Sequence, residues 1–184
     1  MGTGECGSLL AHGLSMREDR NFEFESVAFP HAAGLLRFAL HLTGERTRAE
    51  DLVQETLLAA WRNFHQFERG TNCRAWLFRI LKNFYSSQLR RNLARTEISL
   101  EINEFGLSVP EKITAGHEVR EAFSHLTPEH REVLQLASID GFAISEIATI
   151  LEIPAGTVAS RLNRARLTLR SRLQKRATAG EKNT

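Results

Sequence analysis

Apolar residues recur at helical spacing in two parts of the chain, on either side of a segment without such a pattern. The first helix is predicted over about Ser26–Thr43, with Pro30 in its first turn and Gly44 after its end. Its apolar positions, three to four residues apart, are Leu35, Phe38, Ala39 and Leu42.

Two more helices are predicted in this first part. The second is expected to begin at Thr47, because Thr47 and Glu50 have the spacing of a capping box. Its apolar stripe consists of Val53, Leu57, Ala60, Trp61 and Phe64. The third is predicted over about Asn72–Arg91, after the loop NFHQFERGT, which carries two aromatic residues.

Helical periodicity returns after an acidic, aperiodic segment from about Ala94 to Gly116. A helix near 119–126 is followed by Thr127 and Pro128, a residue pair that favours a helix start. That next helix stops near Gly141, a short helix covers 145–151, and a long one runs from Pro154 to about Arg176. No strand pattern is convincing.

This order of elements predicts an all-α protein with two small helical domains joined by a flexible acidic linker. The expected domains are 22–93 and 117–176, the linker is 94–116, and residues 1–21 and 177–184 are expected to be disordered.

The distribution of charge along the chain indicates the kind of partner that the protein binds. The net charge is only +2, but the cations of Arg74–Arg95 and of Arg161–Arg176 form two blocks without acidic residues. Two basic blocks on either side of an acidic segment indicate two contacts with one polyanion. The alternative is two solvated helix faces.

The last two helices, joined by a short turn, form the arrangement of a helix-turn-helix. On a helical wheel, Val158, Leu162 and Leu169 face inward, and polar residues occupy the other side. Arginine there can bind guanine through two hydrogen bonds in the major groove, and Thr157 can help hold a phosphate. The candidate reading residues are Thr157, Ser160, Arg161, Asn163, Arg164 and Arg166.

The third predicted helix combines a cationic face with nearby aromatic residues, which suits opened, single-stranded DNA. We expect Trp61, Trp76 and Phe84 to belong to the core, whereas Phe67 and Phe78 are open to either interpretation. The candidate contacts are Phe67, Asn72, Arg74, Arg79, Lys82, Asn83, Ser86, Arg90 and Arg91.

The linker limits how far apart the two DNA contacts can lie. About 22 residues reach ~75 Å when fully extended, which corresponds to about 22 base pairs of duplex. Duplex and melted elements within about two helical turns describe a bacterial promoter.

Other function classes find little support. The histidines are scattered, and no metal-binding motif, catalytic motif or phosphate-binding loop is present, so we expect no cofactor, metal or enzymatic activity. Two lone cysteines, Cys6 and Cys73, suit a reducing compartment. With no secretory signal and no apolar run that could span a bilayer, a cytoplasmic protein is predicted.

Three segments together resemble the ECF (extracytoplasmic function) sigma factors of the sigma-70 family. AEDLVQETLLAAW resembles region 2.2, RAWLFRILKNFYSSQLRR resembles regions 2.3 and 2.4, and the stretch from Leu126 to Arg170 resembles region 4. The segment GTNCRAWLFRILKNFYSSQLRR is also similar to the general-stress branch of these factors.

The resemblance implies specific partners. It implies that Asp51, Gln54 and Glu55 bind the clamp coiled coil of core RNA polymerase. Regions 2.3 and 2.4 would bind the melted −10 element, and region 4 would read the −35 element and contact the polymerase flap. An anti-sigma factor is the implied regulator.

The chain departs from the family pattern at several positions. Ala159 replaces a frequent cation, Glu152 replaces a common glycine in the turn, and Ser87 replaces a frequent aspartate. Ala143 and Ile144 replace a frequent Ser-Tyr pair. These departures bear on promoter preference.

Two alternatives from other classes remain. A transcription regulator that acts without polymerase would give Asp51, Gln54 and Glu55 no purpose. A mimic that sequesters an anti-sigma factor would not need DNA-binding arginines, which this chain has.

Overall fold

The computed structural model describes residues 20–96 and 122–180, and the side chains within them except those of 93–96 and 175–180. Both ranges are helical and contain no strand, which confirms the predicted all-α class. In chain order, the helices are α1 (20–28), α2 (Ala32–Thr43), α3 (Arg46–Arg62), α4 (Cys73–Thr96), α5 (Pro128–Leu134), α6 (Ile144–Leu151) and α7 (Ala155–Gly180). Residues 122–124, within the helix predicted near 119–126, are also helical.

The first unit consists of α1 to α4, with short 3-10 turns before α2 and after α3. Its core is aromatic and aliphatic, because each helix turns one apolar face toward the others. Phe38 of α2 and Phe78 of α4 are fully buried, and their rings stack with centroids 5.3 Å apart. Gly44 ends α2 in the left-handed conformation at φ 72°, as predicted from its position.

The predicted start of α3 at Thr47 is wrong. The helix begins at Arg46, with Glu45 as the N-cap residue, so no capping box forms between Thr47 and Glu50. Glu50 instead accepts a hydrogen bond from Arg46 at 2.7 Å, and Glu45 pairs with Arg48 at 3.0 Å. These two ion pairs support the earlier start.

Helix α4 is longer than the sequence predicts. It continues to Thr96, three residues into the segment predicted as linker, and the rest of that segment lies outside the described residues. Helix α1 includes residues 20 and 21, and α7 continues to Gly180, so helix extends into both termini that were predicted to be disordered. Residues 1–19 and 181–184 lie outside the description.

The second unit contains the predicted helix-turn-helix. The Thr127 hydroxyl accepts a hydrogen bond from the amide of His130 at 3.4 Å and caps α5, as expected. A π-helical turn then leads to Gly141 (φ 70°), and α6 and α7 follow. Between them Glu152 adopts the left-handed conformation at φ 55°, which is uncommon for a residue other than glycine.

The two units pack against each other through α4 and α6. Phe142, which precedes α6, is buried with its ring edge-on to Phe78, 4.9 Å between centroids. The guanidinium of Arg74 lies over the Phe142 ring at 4.0 Å. One face of α4 is therefore covered by the second unit.

Candidate nucleic-acid interface

The outer face of α7 has the arrangement that the helical wheel predicts. Val158, Leu162 and Ala165 are buried against α5 and α6. The opposite side presents exposed polar and cationic side chains, as a helix that enters a groove requires. Its exposed candidates are Ser160, Asn163, Arg164 and Arg166.

Thr157 and Arg161 are half-buried at the edge of this face. The amides of Thr157 and Val158 donate to the carbonyl of Pro154 at 2.9 and 3.1 Å, so these two amides are already satisfied within the turn. The Arg161 charge lies close enough to affect the ionisation of Glu129. A hydrogen bond from the backbone amide of Glu129 and one from the Thr127 side chain lower the pKa of the Glu129 carboxyl, and the Arg161 charge lowers it to a smaller extent.

Three of the candidate cations of α4, Arg74, Arg79 and Lys82, contact the second unit. Arg79 pairs with Glu152, with 2.8 Å between the guanidinium and the carboxylate. Lys82 pairs with Glu132 of α5, and both side chains are mostly buried. Arg74 donates to the carbonyl of Asp140.

Asn72 has two structural roles. Its side-chain oxygen accepts a hydrogen bond from the amide of Ala75 at 3.0 Å, which caps α4. Its side-chain nitrogen donates to Glu146 of α6. Glu146 also accepts from the amide of Ala143 at 2.7 Å, so this carboxylate joins the start of α6 to the start of α4.

Asn83 and Arg91, two of the remaining α4 candidates, lie on a side that the second unit leaves open. An open cavity of about 610 Å³ is lined there by both polar and aromatic side chains, including Gln66, Trp76, Asn83, Phe84, Ser87 and Arg91. Arg90 is exposed and donates to the hydroxyl of Ser87 at 3.1 Å, whereas Ser86 is half-buried.

The aromatic residues divide between core and surface differently from the prediction. Phe78, which was open to either interpretation, is a fully buried core residue. Phe67 is half-buried between Phe64 and Trp76, with ring centroids 5.8 and 5.1 Å away. The core assignment of Trp61 is wrong: its side chain is exposed, and its Nε1 donates to Asn21 at 2.9 Å.

A second surface lies on α3. Asp51, Gln54 and Glu55 are all exposed, and Glu55 accepts a hydrogen bond from Gln88 at 3.0 Å. Beside Gln54 runs an open apolar groove of about 370 Å³. Its lining includes Phe24, Phe29, Leu57, Leu58 and Trp61.

Sequence reasoning missed this groove. Leu58 is 54% exposed and Phe29 is 53% exposed, which is unusual for side chains of their size. The available signal was the spacing of Leu58 from Gln54, four residues and one helical turn away on the same face.

Two ionisable side chains, the half-buried His41 and the buried Asp140, lie where the units meet. Burial, with smaller effects of the nearby cations Arg131 and Lys82, lowers the pKa of His41 to about 4. Burial raises the pKa of Asp140, although Arg37 pairs with its carboxylate at 3.2 Å. Gln135 also donates to that carboxylate, at 3.3 Å.

Within residues 20–96 and 122–180, no group of three or more His, Cys, Asp or Glu side chains is placed to hold a metal ion. No helix in the same ranges combines the length and apolarity that a bilayer crossing needs.

Comparison with known proteins agrees with the two-unit architecture. Residues 30–95 match the family model for sigma-70 region 2, and residues 116–169 match the model for sigma-70 region 4. The chain is 38% identical over 151 residues to the ECF RNA polymerase sigma factor SigL of Mycobacterium tuberculosis, covering 78% of this chain and 85% of SigL. It is 39% identical over 135 residues to EcfG of Rhodopseudomonas palustris, covering 72% of this chain and 75% of EcfG.

A solved structure is similar over both units. It is the sigma factor RpoE of Bartonella quintana in complex with the anti-sigma factor NepR, at 32% identity and a TM-score of 0.71. The match covers 83% of this chain and 97% of that one. Both sigma-70 domain matches and the similarity to curated relatives over most of their length therefore establish that the chain belongs to the ECF RNA polymerase sigma factors.

Proposed function

We propose that this sigma factor binds core RNA polymerase, recognises the −35 and −10 elements of its promoters and promotes DNA melting. The observation that carries the proposal is the exposed face of α7, where Ser160, Asn163 and Arg164 project from a helix-turn-helix. Domain bounds of 22–93 and 117–176, around a linker, remain part of this proposal.

Recognition of the −35 element rests on the N-terminal half of α7. Arg164 is exposed and free of any carboxylate partner among the described ion pairs, so it can bind a guanine edge through two hydrogen bonds. Arg161 is half-buried near Glu129, so its side chain would need to extend away from Glu129 to reach a base edge. Arg166 would neutralise backbone phosphates.

Capture of the melted −10 strand is assigned to α4 and the loop before it. The cavity beside Asn83 and Trp76 offers a polar edge and an aromatic surface, which an unstacked base needs. Arg90 and Arg91 lie further along the same helix and would hold the phosphates.

Polymerase binding is assigned to α3. Asp51, Gln54 and Glu55 present polar contacts, and the neighbouring apolar groove extends that surface. An apolar centre beside a polar rim is the usual composition of a specific protein interface. The protein itself forms no bond in this scheme; the polymerase performs the chemistry.

An anti-sigma factor is the proposed regulator, because the similar RpoE chain forms a complex with NepR. A cytoplasmic location is part of the same proposal, since polymerase and promoter DNA are found there.

Run-off transcription with bacterial core polymerase and a pooled promoter library tests this function. Transcripts that depend on the protein and share two upstream elements are expected. Arg164→Ala should weaken use of those promoters about tenfold or more, since a base-contacting arginine contributes about 1–3 kcal/mol. The matched control is Arg172→Ala, an exposed arginine of the same helix two turns further on.

Two outcomes would contradict the proposal. Binding to DNA without any polymerase-dependent transcript would favour a regulator that acts alone. Equal promoter use by the Arg164 and Arg172 variants would show that the assigned reading face is wrong.

A further inference from the structure

The outer face of α7 consists of two ridges of side chains. Ala159 and Asn163 are four residues apart, so they lie about 40° from each other on the helical wheel and form one ridge. Ser160 and Arg164 form the other ridge in the same way. All four residues are exposed, whereas Val158 on the inner side is fully buried. The two ridges therefore offer different chemistry to a base edge: one combines a methyl group with an amide, and the other combines a hydroxyl with a guanidinium.

Hydrogen bonds within α7 limit which of these groups are available to bases. The Ser160 hydroxyl donates to the carbonyl of Thr157 at 3.1 Å, so it keeps only its capacity to accept. Asn163 and Arg164 are exposed, and neither side chain forms a hydrogen bond or ion pair with the described residues. On the two ridges, the free donors are therefore those of Asn163 and Arg164.

The ridge of Ala159 begins with small, uncharged residues. One turn before Ala159, the exposed Gly156 has no side chain, and a Cβ added to it would meet nothing within 4 Å. The φ angle of Gly156 is not positive, so its backbone conformation does not require glycine. Glycine is also less favourable in a helix than alanine. Its presence is explained if a base edge or a backbone outside the chain approaches this side of α7 closely.

We propose that Ala159 is a specificity-determining residue, whose methyl group contacts the C5-methyl group of a thymine in the −35 element. This assignment rests on the −35 recognition proposed above and adds to it a base preference. Thymine is the base that presents a methyl group in the major groove, and alanine is one of the side chains that contact it. Asn163 on the same ridge would bind an adenine, and Arg164 on the other ridge would bind a guanine.

The helix geometry predicts how far apart these bases lie. Ala159 and Asn163 are separated by about 6 Å along the axis of α7. For a helix that lies along the major groove, this distance corresponds to about two base pairs. Arg164 directly follows Asn163, so its guanine is expected within about one base pair of the adenine. The −35 element should therefore combine A·T and G·C pairs, with a thymine at the end that faces Ala159.

Replacement of thymine by deoxyuridine tests the methyl contact at the level of a single group. The element is first selected from a randomised duplex pool, both by the full chain alone and by its complex with bacterial core polymerase. Each thymine of the selected duplex is then replaced in turn by deoxyuridine, which lacks only the C5-methyl group. At one position the wild-type affinity should fall about fourfold, which is the effect of one buried methyl-sized group.

Ala159→Gly removes the other half of the contact. This variant should bind the thymine duplex and the uracil duplex equally. Because glycine also makes the helix less stable, the measured quantity is the ratio of the two affinities, which a uniform loss of binding does not change. The matched control is Ser171→Gly, at an exposed position of the same helix about three turns further on. It should keep the fourfold ratio.

Two further variants test the chemistry of the ridge. Ala159→Lys should also lose the preference for thymine over uracil, because its ammonium group would reach a phosphate. Its binding should become more dependent on salt, by about one released ion. Asn163→Ala should relax the preference for adenine at a position about two base pairs from the uracil-sensitive thymine, and leave the thymine-to-uracil ratio unchanged.

The outcomes separate this inference from the proposed function. If no thymine of the selected element responds to deoxyuridine, or if Ala159→Gly keeps the fourfold ratio, the assignment of Ala159 is wrong and −35 recognition stands. If the complex with polymerase gives no transcript but the chain alone selects an element, the proposed function fails, and the deoxyuridine ratio still decides the role of Ala159. A chain that selects no duplex in either form overturns both.

Discussion

His41 makes the stability of the packed protein dependent on pH. It lies on α2, half-buried, and faces Arg131 of α5 and Lys82 of α4. Protonation would place a third cation beside these two in a poorly hydrated site, so burial and the two cations lower the pKa of His41 to about 4. In the unfolded chain the pKa returns to about 6.5.

The sign and size of the effect follow from this difference. Between these pKa values the unfolded chain binds more protons, so the free energy of unfolding falls as the pH falls below about 6.5. The full difference of about 2.5 pKa units corresponds to about 3.4 kcal/mol and is reached below pH 4. At pH 5, the expected loss attributable to His41 is about 2 kcal/mol.

Urea unfolding of the wild type and of His41→Gln at pH 7.5 and pH 5.0 measures this loss. Glutamine keeps a polar side chain of similar length but does not titrate in this range. The wild type should lose about 2 kcal/mol more than the variant between the two pH values. His65→Gln, on the exposed loop after α3, is the control and should behave as the wild type. An equal loss in wild type and His41→Gln would refute the burial of a neutral imidazole beside two cations.

Three other substitutions test the packing and the surfaces. Phe78→Ala should lower the free energy of unfolding by about 3–5 kcal/mol in urea titrations, because it removes a fully buried ring from the core; a loss below about 1 kcal/mol would contradict that burial. Thr127→Ala should cost about 1 kcal/mol through loss of the α5 cap, and an unchanged urea midpoint would argue against the hydrogen bond to His130. Leu58→Ala should change stability by less than about 0.5 kcal/mol but weaken binding to core polymerase measured by fluorescence anisotropy, by about fivefold or more. Unchanged polymerase affinity would remove the apolar groove from the proposed interface.

The helices and their buried faces were predictable because they depend on residues three to four positions apart. The wheel of α7 placed Val158 and Leu162 inward, and both are buried. Local periodicity also explains an error. Trp61 continues the apolar stripe of α3, yet its ring meets the polar side chains of Arg20 and Asn21 instead of the apolar core and borders an open groove.

The contacts between the units could not be predicted in the same way. Arg79 and Glu152 are 73 residues apart. A helical wheel shows only that Arg79 lies on the polar face of its helix, not which carboxylate it meets. The sequence therefore identified the cationic face of α4 but not the carboxylates that meet it. The start of α3 was missed for a different, local reason: Glu50, which the capping pattern assigned to Thr47, pairs with Arg46 instead, and Arg48 pairs with Glu45.

Phe78 belongs to two hydrophobic cores at once. It stacks on Phe38 within the first unit and packs against Phe142 of the second, at centroid distances of 5.3 and 4.9 Å. Melting of either unit exposes part of the same ring, which couples the cooperativity of the two units. The protein with its two units packed together should consequently melt in a single calorimetric transition, whereas a chain whose units have separated should show two. The number of transitions in the melting curve therefore reports whether the two units of the sigma factor are packed together.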